Sequence, residues 1–116
     1  MEILLLLVSL SLNAVYACGI VGAWSDVYAF TTTPADPHWS PRIVIYGDMG
    51  VKNIHALSFV AEGAEMGLVD SVLHIGDIAY DMNDNESRRG DLFFNMLQPL
   101  AATTPYMLAP GNHEQA

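Results

Sequence analysis

The stretch Arg42-Ile43-Val44-Ile45-Tyr46-Gly47-Asp48-Met49-Gly50 joins a run of β-branched and aromatic residues to an aspartate between glycines. A short apolar run that ends at glycine is typical of a buried strand followed by a sharp turn. The same pattern occurs twice more along the chain. Residues 71–75 lead into Gly76-Asp77-Ile78-Ala79-Tyr80, and residues 105–109 lead into Pro110-Gly111-Asn112-His113-Glu114. The sequence therefore predicts three strands, each of which ends in polar residues.

The segments between these strands carry apolar residues at helical spacing. Residues 53–66 predict one helix, with Asn53 as its N-cap and Gly67 as the glycine that ends it. Residues 90–100 predict a second helix, whose extent Pro99 should limit. The order strand, helix, strand, helix, strand predicts an α/β fold with a parallel sheet and right-handed crossovers. Because ligands bind beyond the carboxyl ends of such strands, we expect the polar motifs to meet at one edge of the sheet.

The polar side chains of the three motifs suit hard metal ions and phosphate. Carboxylate, phenolate and amide oxygens are ligands that hard cations prefer. Two cations about 3.5–4 Å apart can hold a phosphate group and acidify a bound water molecule. Any one Gly-Asp turn would be weak evidence, but the order and strand-end placement of all three motifs indicate function. The residues expected to meet are Asp48, Asp77, Tyr80, Asn112 and His113.

In this order the motifs resemble the metallophosphoesterase superfamily, and Tyr80, three residues after Asp77, resembles its purple acid phosphatase branch. The likeness runs from about residue 16 to residue 116. It implies a partial metallophosphoesterase sandwich with a βαβαβ parallel sheet. It also implies an acid phosphatase that hydrolyses phosphomonoesters with ferric iron, Fe(III), and a divalent ion, which would be iron, zinc or manganese.

The resemblance also implies a role for each residue of the motifs. Asp48 and Tyr80 would bind the ferric ion, and Asp77 would bridge the two metals. Asn112 would bind the second metal, and together with His113 it would contact the substrate. His113 would be catalytic without binding metal. Charge transfer from the tyrosinate to iron would give the purple colour.

Three further metal-binding histidines, which the resemblance implies in Val-x-x-His and Gly-His-x-His motifs, do not occur in the sequence. His74 should point to the opposite face from the ligands, as a hydrogen-bonded core histidine. We therefore expect this chain to carry only part of a site and to be inactive alone, as the front part of an enzyme. The alternative is a non-catalytic truncated variant or a partner-binding remnant. A third possibility, a phosphodiesterase or protein phosphatase branch, is disfavoured by Tyr80.

The N-terminal region predicts a secretory origin. Residues 1–17 resemble a signal-peptide leader with an apolar run too short for a stable membrane span, although Glu2 is acidic and no basic residue precedes the run. A buried apolar segment is the alternative. Residues 18–33 resemble the last strands of a fibronectin-like β-sandwich, residues 34–41 form a linker, and residues 42–116 are the phosphoesterase part.

Composition excludes one class of partner. A formal net charge of −9, with only 4 basic residues, argues against binding to nucleic acid. The single cysteine, Cys18, cannot form a disulfide within the chain. Asn85-Glu86-Ser87 matches the acceptor sequence for glycosylation and predicts a glycan on Asn85 if the chain is secreted. The sequence leaves the oligomeric state open.

Overall fold

The computed structural model describes the backbone of residues 2–6 and the whole of residues 13–52 and 54–115. It divides the chain into two units, residues 1–40 and residues 41–116. Among the described residues, no helix is both long enough and apolar enough to cross a membrane.

The first unit is an antiparallel sheet. Its strands are β1 (Glu2–Leu6), β2 (Asn13–Ile20), β3 (Ala23–Trp24) and β4 (Tyr28–Thr31). Strand β2 pairs with each of the other three. Residues 18–33 therefore contain strands, and β2 begins within the segment predicted as a leader. A leader function for residues 1–17 and the assignment to a fibronectin-like domain stay predictions.

The second unit is a βαβαβ arrangement, as the sequence predicted. Its elements are β5 (Ile43–Tyr46), α1 (His55–Glu65), β6 (Ser71–Ile75), α2 (Arg88–Ala101) and β7 (Tyr106–Ala109). The strands lie in the order β5-β6-β7, and both neighbouring pairs are parallel. Their carboxyl ends therefore meet at one edge of the sheet, which is where the three polar motifs follow.

Both helices cover one face of this sheet. Leu57 of α1 and Phe93 of α2 belong to one buried cluster with Val72 of β6. Successive side chains along a strand point to opposite faces of the sheet. The neighbours of the buried strand residues therefore lie on the other face. There Ile45 and Met107 remain 58% and 63% exposed.

His74 lies on the helix-covered face, as predicted, and is completely buried. Its Nδ1 is 2.9 Å from the hydroxyl of Tyr106, which also contacts the hydroxyl of Tyr46. The prediction of a hydrogen-bonded core histidine is therefore confirmed, although Nε2 has no hydrogen-bond partner of good geometry among the described residues. Burial lowers the pKa of the imidazole, because a charged ring is poorly solvated there.

The predicted helix boundaries needed correction. Helix α1 starts at His55, and the predicted cap Asn53 lies outside the described residues. Gly67 does follow the helix, with a φ of +68° that suits glycine. Helix α2 starts earlier than predicted and continues past Pro99 to Ala101. Pro99 lacks the N–H that would donate to the carbonyl four residues earlier, so the last turn of the helix makes one backbone hydrogen bond fewer.

Candidate metal centre

The loops that follow β5, β6 and β7 form the candidate site, and we call them the rim (residues 47–50, 76–81 and 111–114). The first two loops are joined through their backbones. The N–H of Asp48 donates to the carbonyl of Gly76 at 3.1 Å, and the N–H of Gly50 donates to the carbonyl of Ile78 at 3.0 Å. Adjacent parallel strands thus bring Asp48 and Asp77 to the same place, as the sequence predicted.

Tyr80 reaches from the second loop to the first. Its hydroxyl donates a hydrogen bond of 2.8 Å to Oδ1 of Asp48. Its ring lies edge-on to the imidazole of His113, with 4.7 Å between ring centres. A Cβ placed on Gly50 would lie 2.7 Å from the Tyr80 ring, so this glycine gives the ring its room. The two residues to which the resemblance gives one metal are therefore in direct contact.

The hydroxyl of Tyr80 stays protonated in this arrangement. Its hydrogen bond to Asp48, with burial and the nearby charges of Asp48, Asp77 and Glu114, raises the pKa of the phenol to about 12. A phenolate at this position would add a negative charge beside carboxylates. It therefore needs a cation to neutralise it.

The rim has an unusual backbone. Asp48, Asp77, Tyr80 and Asp81 all have positive φ angles, between 50° and 63°. Non-glycine residues rarely adopt this left-handed conformation, which costs of order 1–3 kcal/mol and clusters at functional sites. Three of the four predicted metal ligands are held in it. The surrounding structure must therefore stabilise a conformation that these residues would otherwise avoid.

Glu114 ties the second and third loops together. Its Oε2 accepts the backbone N–H groups of Asp77 at 3.0 Å and Gly111 at 2.8 Å, and its Oε1 accepts the N–H of Ile78 at 2.8 Å. Burial alone would raise the pKa of this carboxyl, but the three N–H donors outweigh it and the pKa is lowered. Glu114 belongs to the third motif, but its position in the sequence did not predict this role.

Gly111 allows the second and third loops to approach closely. A Cβ at this position would collide with the backbone nitrogen and the carboxylate of Asp77. The next residues form a short turn of 3-10 helix, Asn112–Glu114. The N–H of His113 donates to Oδ1 of Asp77 at 3.1 Å, which fixes the third loop against the second.

His113 has a second acidic neighbour that the sequence analysis missed. Its Nδ1 is 3.1 Å from Oδ1 of Asp81. This hydrogen bond, which outweighs a smaller opposing effect of burial, raises the pKa of the imidazole; the charges of Asp77, Asp81 and Glu114 act in the same direction. Asp81 follows Tyr80 directly, but nothing in its spacing shows that it faces a residue 32 positions away.

The donor set fits a cation in part. Asp48, Asp77 and Tyr80 gather oxygens at one place, whereas the side chain of Asn112 is exposed and makes no hydrogen bond within the described residues. No group of three or more His, Cys, Asp or Glu residues that could hold a metal ion is found in the described part of the chain. The rim thus supplies oxygen ligands, and the imidazole ligands implied by the resemblance are not among them.

Asn85, the predicted glycosylation residue, lies outside the rim. It is exposed, in the loop before α2. Its φ of 54° places it in a run of left-handed residues with Glu86 and Ser87. The side chain is therefore accessible at the surface.

Comparisons with known proteins agree with this arrangement. A sequence profile described as calcineurin-like phosphoesterase matches residues 41–116. Acid phosphatase type 7 from Mus musculus is 46% identical over 101 residues, which cover 87% of this chain and 23% of that protein. The Arabidopsis thaliana protein named "Probable inactive purple acid phosphatase 1" is 33% identical over 105 residues, covering 79% of this chain and 17% of that protein. The structure of a purple acid phosphatase isolated from yellow lupin (Lupinus luteus) seeds superimposes with a TM-score of 0.73 at 32% identity, covering 88% of this chain and 21% of that one.

The parallel βαβαβ sheet with acidic loops at its carboxyl edge matches part of the fold of these relatives. The chain belongs to the calcineurin-like phosphoesterase family. Within that family, its resemblance to the purple acid phosphatases is confirmed by both the sequence and the structural relatives. The chain spans less than a quarter of the length of these relatives.

Proposed function

We propose that this chain carries part of the active site of an acid phosphatase that hydrolyses phosphomonoesters through a binuclear metal centre of ferric iron and a divalent iron, zinc or manganese ion. The observation that supports this most strongly is the contact between Tyr80 and Asp48 on a rim of left-handed residues. An oxygen-rich site with a phenol among its donors suits a hard trivalent ion.

Each rim residue has a defined part in this proposal. Asp48 and Tyr80 would hold the ferric ion, Asp77 would contribute its carboxylate to both metals, and Asn112 would offer its amide oxygen to the divalent ion. When bound, the metal pair supplies charge stabilisation for the phosphate and an acidified water molecule. His113, held by Asp77 and Asp81, faces the rim with its ring against Tyr80 and contacts the phosphate and its leaving group.

Secretion and glycosylation belong to the same proposal. The leader-like residues 1–17 and the Asn85-Glu86-Ser87 acceptor sequence support a secreted protein. The exposed Asn85 would carry the glycan. Peptide-N-glycosidase treatment of the protein from its natural source, with Asn85→Gln expressed alongside it, would test this by a change in mass.

A specific observation favours a second candidate function. Relatives named as probable inactive purple acid phosphatases match this chain. The second candidate is therefore a non-catalytic product that binds phosphate or a partner through the rim.

The two candidates differ in turnover. The natural transcript should be sequenced across the codon for Ala116, and the product that it encodes should be assayed with p-nitrophenyl phosphate after loading with Fe(III) and Zn(II). The proposal predicts downstream Val-x-x-His and Gly-His-x-His motifs and hydrolysis at acidic pH. A stop codon directly after Ala116, together with no turnover for any metal pair, would support the non-catalytic candidate instead.

A further inference from the structure

A cavity of about 450 Å³ opens beside the rim. The ring of Tyr80 forms part of its wall, and so do the apolar side chains of Met49, Val51 and Leu92. Small-molecule sites usually have volumes of roughly 300–1,000 Å³, with mostly apolar walls and a few polar groups. The cavity therefore has the size and the walls of a binding site for a small organic molecule.

The charge of the cavity is opposite to that of the chain. Lys52, Arg88 and Arg89 line it, and no acidic side chain does. These are three of the 4 basic residues in a sequence with a net charge of −9. The fourth, Arg42, pairs with Asp70 at 2.9 Å, at the opposite end of strand β5 from the rim. A concentration of cations in one cavity favours an anionic occupant.

The three cationic side chains differ in whether they already have a hydrogen-bond or ion-pair partner. Arg89 donates to the carbonyl of Tyr80 at 2.7 Å and pairs with Asp84 at 2.7 Å, so it is held in place as part of the wall. Among the described residues, Arg88 pairs only with Glu86, at 3.5 Å and with both side chains largely exposed, and such a pair contributes little. Lys52 takes part in none of the ion pairs that the described residues form. Arg88 and Lys52 are therefore available to an anion.

The backbone at the start of α2 does not compete for this anion. The N–H of Arg88 donates to the carbonyl of Asn85, and the N–H of Asp91 donates to the carbonyl of Ser87. Because these N–H groups already donate to carbonyls, the side chains of Lys52 and Arg88 are the groups that can bind the anion. Both are cations without a fixed partner, and either can form a charge-assisted hydrogen bond to a carboxylate or phosphate.

We propose that this cavity binds the organic part of the substrate and selects phosphomonoesters that carry a second anionic group on a short apolar body. Tyr80 is shared by the rim and the cavity, so a molecule whose phosphate lies at the rim extends its organic part past the Tyr80 ring. The apolar walls contact its carbon chain, and Lys52 and Arg88 bind its second anionic group. This substrate class rests on the proposed function. Asn85 also lines the cavity, where a glycan would restrict access, so the inference applies to the chain without that glycan.

Two probes with the same three-carbon body test this selectivity. Propionamide is neutral, whereas propionate carries one carboxylate, and neither has a phosphate analogue that would need the metal site. Each is titrated into the metal-free 116-residue chain while amide chemical shifts are followed by NMR. We expect propionate to bind at least fivefold more tightly, with shifts at Val51 and Leu92.

Substitutions distinguish binding of the anion by Lys52 from a general effect of the net charge of the chain. Lys52→Gln should reduce the preference to less than twofold, and Lys52→Arg should restore it. The matched control is Arg42→Gln, which removes the same charge outside the cavity and should keep the preference. Equal binding of the two probes, no binding of either, or the same loss in Arg42→Gln would overturn the inference. Because the titration needs neither metal nor turnover, its failure is distinguishable from a failure of the proposed function.

Discussion

At the scale of single residues, the rim depends on the carboxylate of Glu114, which is not one of the proposed metal ligands. Glu114 accepts three backbone N–H groups from the loops that carry Asp77 and Gly111. Because those loops contain left-handed residues, something must offset the cost of their conformation. Hydrogen bonds to a charged acceptor are among the stronger ones available for this purpose.

Glu114→Gln should lower the free energy of unfolding by about 1 kcal/mol at pH 7, because an amide nitrogen cannot accept these N–H groups. The lowered pKa of Glu114 gives the sign of the pH dependence. Its contribution is complete above the unfolded pKa of about 4.3 and is lost as the pH falls through the folded value. Urea unfolding at several pH values would show the difference between the two proteins shrinking in acid.

The matched control for this substitution is Glu62→Gln, on the exposed surface of α1. It removes the same charge without removing an acceptor for three N–H groups. It should leave the free energy of unfolding within about 0.5 kcal/mol of the unsubstituted chain. A loss as large as that of Glu114→Gln would contradict the assigned role of Glu114.

Replacing two different glycines by alanine should change the stability of the chain in opposite directions. Gly111→Ala should destabilise the chain by about 2 kcal/mol or more, because the added Cβ overlaps the nitrogen and carboxylate of Asp77. Gly63→Ala should instead stabilise it by about 0.5–1 kcal/mol, since Gly63 is inside α1 and its Cβ would meet only Val69, at 3.4 Å. Thermal unfolding of both variants checks this, and shifts in the same direction would argue against the close approach at Gly111.

At the scale of elements, α2 holds the sheet through one side of its surface. Phe93 is completely buried, whereas its neighbour Phe94 is 45% exposed. Phe93→Ala should therefore cost about 3–5 kcal/mol, and Phe94→Ala about 1 kcal/mol. Chemical denaturation of the two variants compares the same substitution at adjacent positions. Equal losses would show that the helix does not pack by this face.

The elements also show what the sequence could predict. The strands β5 and β6 were clear because β-branched residues are concentrated in short runs that end at glycine. The meeting of Asp48, Asp77 and Tyr80 followed from the parallel topology alone. The helix ends were less predictable, because α2 tolerates Pro99 in its last turns. The three hydrogen bonds to Glu114 could not be predicted, since backbone donors leave no pattern in the sequence.

At the scale of the whole molecule, the parallel sheet has one apolar face without a covering layer in the described second unit. Ile45 and Met107 are mostly exposed there, and Ile43 and Ile75 extend the same face. Contiguous apolar surface of this kind promotes association or aggregation. The exposed face therefore affects how the 116-residue chain behaves in solution.

Ile45→Glu should reduce concentration-dependent association of the 116-residue chain, because it places a charge in the middle of this face. Leu68→Glu is the matched control, since Leu68 is also exposed but lies in the loop after α1. Sedimentation velocity at increasing concentrations would compare the two variants. If both change association equally, the sheet face is not responsible.

The central claim is that Tyr80 and Asp48 form an iron-binding pair on the rim. The most direct test is titration of the 116-residue chain with Fe(III), supplied as its nitrilotriacetate complex, while visible absorption is recorded. The account predicts a tyrosinate-to-iron charge-transfer band that disappears in Tyr80→Phe and persists in Tyr28→Phe, where the tyrosine lies in the first unit. A band that survives in Tyr80→Phe, or no band in the unsubstituted chain, would contradict it.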